Sequence, residues 1–129
     1  MTQLETVHMN ISIEARNLID NSFRLGYLFS VIIFDIQKIL DLVEKNDFKK
    51  TLHFLESDFI IKFNSLEFFF QNLYETKGIS EDELTHIKNF CTDSTEDLNL
   101  VISALKNTGK LTEEDISLMK KLLKNMNDF

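Results

Sequence analysis

Apolar positions in the first third of the chain recur at steps of three and four: Ile11, Ala15, Leu18, Ser22, Leu25, Phe29, Ile32, Ile36, Ile39 and Val43. That spacing holds one face of a helix apolar over many turns. It runs through Gly26, where a mid-helix glycine costs roughly 1 kcal/mol against alanine, and a stripe of this length absorbs that cost. The pattern predicts one helix over about 11–45, with Gly26 as the place where it would kink.

The polar turn Lys45-Asn46-Asp47 follows, with Asp47 placed to cap the next helix. Phe48, Leu52, Leu55, Phe59, Phe63, Leu66, Phe70 and Leu73 form the main face of that second helix. Gly78, after Lys77, is read as the C′ residue that ends it. Ser80 and Glu83 make a capping box, and Ile79 with Leu84 a hydrophobic staple. Leu84, Ile87, Cys91, Ser94, Leu98, Val101 and Leu105 continue as a strict stripe, which Gly109 ends. Thr112 opens the last helix by the same logic, and Ile116, Met119, Leu123 and Met126 carry its stripe. Connections this short make neighbouring helices antiparallel. The expected fold is all-α: an antiparallel up-down helical bundle of three long helices and one short C-terminal helix, a single domain over 1–129.

Composition narrows the alternatives. There is no proline and there are three glycines in 129 residues, so the turns that a β-sandwich or a doubly wound α/β fold requires have little to be made from. The net charge is −7, and only two of the 14 basic residues are arginines, Arg16 and Arg24. Seven acidic and two basic residues fall between Glu75 and Asp97. A nucleic-acid partner would need a basic face that this chain lacks. The apolar run from Leu25 to Phe34 spans about 15 Å as helix, against roughly 30 Å of bilayer core, so no membrane span is expected. The first residues lack the basic and apolar regions of a signal peptide, and the single cysteine suggests a reducing compartment. A cytoplasmic location is expected.

Candidate chemistry is sparse. Glu83 and His86 have the Glu-x-x-His spacing of ferritin-like metal sites, and His53 and Glu56 have its reverse. In an antiparallel hairpin turning near Gly78 the two pairs sit roughly 25 Å apart at 1.5 Å per residue, too far to share a metal. His53-Phe54-Leu55-Glu56-Ser57 keeps only the leucine of a phosphotransfer His-x-Leu-Lys-Gly motif, and Glu56 would repel a phosphoryl group. Cys91 falls on a core position and reads as a buried thiol rather than a nucleophile, although Lys88 lies one turn away. No catalytic, cofactor-binding or metal-ligating residue is therefore assigned, and no enzyme activity is expected. A phosphorelay or metal-binding bundle is the competing class.

A second apolar set departs from a plain bundle. Phe54, Ile61 and Phe68, seven residues apart, fall nearly opposite the main face of the second helix, bordered by Ser57, Asn64, Ser65 and Asn72. On the first helix Tyr27, Val31 and Phe34 also lie off the main stripe. Either the N-terminal residues or the last helix covers this back face, or the six residues form a protein-binding or homodimer surface. The expected function is a non-enzymatic protein-binding module, chaperone-like or adaptor-like. A phage- or plasmid-encoded inhibitor or an immunity protein, also acting by binding another protein, is the alternative.

The stretch Leu42-Val43-Glu44-Lys45-Asn46-Asp47-Phe48, followed by Leu52, Leu55 and Glu56, resembles the first helical hairpin of FliT-type flagellar export chaperones. The resemblance covers roughly residues 38–60. Asn46 stands where that family often has glycine, Phe48 where it has tryptophan, and Asp58 where an arginine is expected. It implies a small cytoplasmic helical chaperone that holds flagellar subunits before export, with no catalytic residues.

Overall fold

The computed structural model describes residues 12–128, and these form four helices with no strand among the described residues. Helix α1 is Ile13–Glu44. Three segments, Phe48–Phe54, Leu55–Phe59 and Ile60–Glu75, run on without a break and together make α2. Helix α3 is Glu81–Thr108 and α4 is Glu113–Asp128. Ile11, the first residue of the apolar stripe, lies outside the described residues.

Helix α1 passes through Gly26 without interruption. It starts on Ser12, whose hydroxyl accepts the Ala15 N–H. It ends on a Schellman turn: Asn46 takes the left-handed conformation (φ 59°), its N–H bonds to Val43 O, and the Asp47 N–H bonds to Leu42 O. Asp47 then serves twice, because its side chain accepts the Lys50 N–H and caps α2. At the far end of α2 the left-handed residue is Lys77 (φ 64°), with its N–H on Tyr74 O and the Gly78 N–H on Leu73 O. This corrects the expectation that Gly78 is the C′ residue. Gly78 is one position further on, and a Cβ there would collide with Leu73 and stand 2.7 Å from Leu18. It is glycine for space, not for a positive φ.

Helix α3 follows its predicted pattern at both ends and along its length. The Ser80–Glu83 capping box is complete, Gly109 closes the helix at φ 70°, and all seven stripe positions from Leu84 to Leu105 are buried. Thr112 caps α4: its hydroxyl accepts the Asp115 N–H at 3.3 Å, and the Asp115 carboxylate accepts the Thr112 N–H at 2.9 Å. On α4 the buried positions are Met119, Leu122 and Met126; Leu122 takes the place expected of Leu123, and Ile116 and Leu123 are only partly buried.

The middle of α2 departs from a regular α-helix. Leu55–Phe59 is a π-turn, closed by the Ile60 N–H on Leu55 O. The buried residues of α2 are Thr51, Leu55, Phe59, Phe63, Leu66, Phe70 and Leu73. From Thr51 to Phe63 their steps are four, four and four. In an ideal α-helix each such step overshoots a full turn by about 40°, so three of them would carry the face about 120° round the axis. One extra residue in a π-turn takes up about 100° of that drift and keeps the row facing inward. Thr51 consequently replaces Phe48 and Leu52 as the inward residue of the first segment. Its hydroxyl is satisfied by Asp47 O at 2.8 Å.

Helix α1 packs against α2 and α4, and α3 packs against the same two. The core lies among all four, with Ile32, Ile36, Ile39, Leu55, Phe59, Leu66 and Val101 wholly excluded from water. Burying each large apolar side chain stabilises the fold by roughly 1.5–3 kcal/mol. Of the α1 stripe, Leu25, Ile32, Ile36, Ile39 and Val43 are buried, Leu18 and Phe29 are partly buried against the core, and Ala15 and Ser22 are exposed.

Candidate functional site

The outward faces of α1 and α2 are joined by one ionic cluster. Lys62 Nζ lies 3.0 Å from Asp35 on α1 and 2.9 Å from Asp58 one turn earlier on α2. Asp35 is buried, so this ammonium supplies the charge and hydrogen bond that its carboxylate requires. Hydrogen bonds to Asp58 and then to Asp35 raise the Lys62 pKa above 10.5 against the opposing effect of burial. A second contact spans the same helices closer to the turn, where Lys38 Nζ stands 4.7 Å from the centre of the Phe54 ring.

The six residues expected to form a binding surface separate into two groups. Phe54 and Val31 are half-buried, and Phe54 packs against the core as well as under Lys38. Tyr27, Phe34, Ile61 and Phe68 stand in solvent, with 70%, 66%, 62% and 63% of their surface exposed. Phe34 and Ile61 each immediately precede a member of the Asp35–Lys62 pair, which holds the two exposed rows at one level. Phe68 has an edge contact with the half-buried Phe69 at 5.6 Å. Helix α4 packs on α1 and α3, so it does not cover the back of α2, contrary to one of the two expected covers. The other, the first 10 residues, lies outside the described residues.

Two further exposed apolar side chains on α1, Ile19 and Phe23, are missed by sequence reasoning that follows only the strongest stripe. A signal for them exists. Ile19, Phe23, Gly26, Ser30 and Phe34 recur at steps of four, three, four and four, opposite in phase to the buried stripe of the same helix. Gly26 belongs to that outer row. A Cβ built on it meets nothing within 4 Å, so nothing in the described chain requires a glycine there. Ser30 is exposed and donates its hydroxyl back to Gly26 O.

The groups considered for chemistry are otherwise engaged. The Glu83 carboxylate accepts the Ser80 N–H in the capping box, which holds its pKa below the ordinary carboxylate value. Glu56 pairs with Lys106 of α3 at 3.0 Å. Burial, with a smaller contribution from the Glu67 carboxylate, pushes the Cys91 thiol up to about 11, which removes the thiolate that a nucleophile needs. His53 and His86 are both exposed. Among the described residues no three His, Cys, Asp or Glu side chains come together in a way that could hold a metal, and no helix is long and apolar enough to cross a membrane. No protein-family model, curated protein or solved structure matches the chain.

Proposed function

We propose that this chain is a non-enzymatic, cytoplasmic protein-binding module, adaptor-like or chaperone-like, which acts through the outer faces of α1 and α2. The observation that carries the reading is the surface itself. Ile19, Phe23, Tyr27, Phe34, Ile61 and Phe68 are all more than half exposed. Six large apolar side chains left in water on the outer faces of two helices packed side by side are the mark of a protein-interaction site. An up-down antiparallel order of the helices belongs to the same proposal. Asp35 with Lys62 and Lys38 with Phe54 across the first connection, and Glu56 with Lys106 across the second, support it. The resemblance of residues 38–60 to FliT-type export chaperones favours the chaperone form.

The test is cross-linking and affinity capture from the native host, with the wild-type chain and the Phe34→Asp and Ile61→Asp variants as baits. Both positions are open to water, so the variants are expected to melt like the wild type and to lose the captured protein. Capture of the same protein by wild type and both variants overturns the reading.

A further inference from the structure

We propose that the outer row of α1 is a self-complementary seam, and that its occupant is α1 of a second copy of this chain. The inference rests on the binding surface proposed above and names what covers part of it.

The order of side-chain sizes along the row carries the argument. Large Ile19 and Phe23 are followed by small Gly26 and Ser30, then by large Phe34. A twofold axis that crosses two antiparallel copies of α1 midway between residues 24 and 25 sets Phe23 of each copy opposite Gly26 of the other. The same axis sets Ile19 opposite Ser30. The two large side chains nearest the axis each meet a small one, and each contact occurs twice, as an isologous interface requires. An unrelated partner helix places no such inversion symmetry on this sequence.

Gly26 supplies a second observation. An exposed mid-helix glycine destabilises the isolated chain relative to alanine, and no neighbour in the described chain occupies the space of its missing Cβ. A second helix backbone that approaches the row closely, with the Phe23 ring lying over the bare Cα, uses that space.

Sedimentation equilibrium on wild type, Gly26→Leu, Gly26→Ala and Phe23→Asp tests this directly. Wild type is expected at twice the chain mass. Gly26→Leu and Phe23→Asp are expected to weaken the dimer by about thirtyfold or more, as loss of a central interface contact does, with circular dichroism unchanged. Gly26→Ala controls for folding, since alanine fits the open space and favours helix, so its monomer melts higher than that of wild type. A wild type that remains monomeric at millimolar concentration overturns the proposal, and so does a Gly26→Leu dimer of undiminished affinity. If the wild type is monomeric while Phe34→Asp and Ile61→Asp still lose a captured protein, self-association fails and the binding reading stands. If neither mass nor capture responds to any of these substitutions, both fail.

Discussion

Lys62 reaches from α2 to the buried carboxylate of Asp35 on α1, 3.0 Å away, while Asp58 holds the same ammonium from the solvent side at 2.9 Å. The two acids differ in what they lose without it. Asp58 can turn to water, and Asp35 cannot.

Replacing Lys62 with methionine leaves Asp35 without its cation. That variant is expected to lose about 1–3 kcal/mol by urea denaturation, the cost of stranding a buried polar group. Asp58→Asn should cost less than about 1 kcal/mol, as exposed pairs do. Equal losses would refute this division of roles. The pH dependence has a definite sign. The Lys62 pKa is raised in the folded chain, so its contribution is complete below 10.5 and disappears as pH rises through the raised value. Lys62→Met should therefore flatten the alkaline limb of the stability curve.

At the end of α2 the backbone and the packing make opposite demands on adjacent residues. Lys77→Gly relieves a left-handed conformation that a side chain disfavours by about 1–2 kcal/mol, partly offset by the added freedom of the unfolded chain. A rise of a few degrees in Tm is expected. Gly78→Ala should lower Tm, because its methyl collides with Leu73 and approaches Leu18. Calorimetry of the two variants should give shifts of opposite sign.

Ser80→Ala removes a cap and is expected to cost about 0.5–2 kcal/mol at neutral pH. It also removes the hydroxyl that bonds near Glu83, whose pKa is lowered chiefly by the Ser80 backbone N–H and then by that side chain. A carboxylate with a depressed pKa contributes stability above its unfolded value, near 4.5, and loses it as pH falls through the folded one. Acid titration of Ser80→Ala followed by circular dichroism should show a smaller loss in this window than wild type does.

Cys91 should resist modification in the native state. A buried thiol with a pKa of about 11 carries little thiolate at neutral pH. Ellman's reagent is expected to react slowly with folded protein and with one thiol per chain in guanidinium chloride. Rapid reaction of the native protein would show that the space between α2 and α3 opens easily.

How much of this was legible in the sequence varies from helix to helix. On α3 each stripe position is a core position, because the helix has one strong face, keeps a strict three-four rhythm and carries unambiguous caps. On α1 the rhythm extends beyond the buried part, and small Ala15 and Ser22 continue a pattern that they do not bury. That helix also bears a second row in the opposite phase, so a search for a single stripe reads Gly26 as a weak point and passes over Ile19 and Phe23. At Gly78 the residue type suggests the left-handed position, which Lys77 occupies instead. Of the proposed surface, Tyr27, Phe34, Ile61 and Phe68 are exposed as their phase implies, while Phe54 and Val31 are half-buried. Phe54 lies before the π-turn, and helical phase counted across that turn misplaces it by the angle of one residue.

The π-turn has a consequence for how this chain can vary in length. A segment that has absorbed one residue without moving the rows on either side is also where one residue can be removed at least structural cost. Relatives that differ by a single position within α2 are expected to keep Thr51 and Phe63 as equivalent core residues, and the alignment gap belongs within Leu55–Phe59. A gap placed in either flanking segment would turn one half of the helix against the other and assign core residues to the surface.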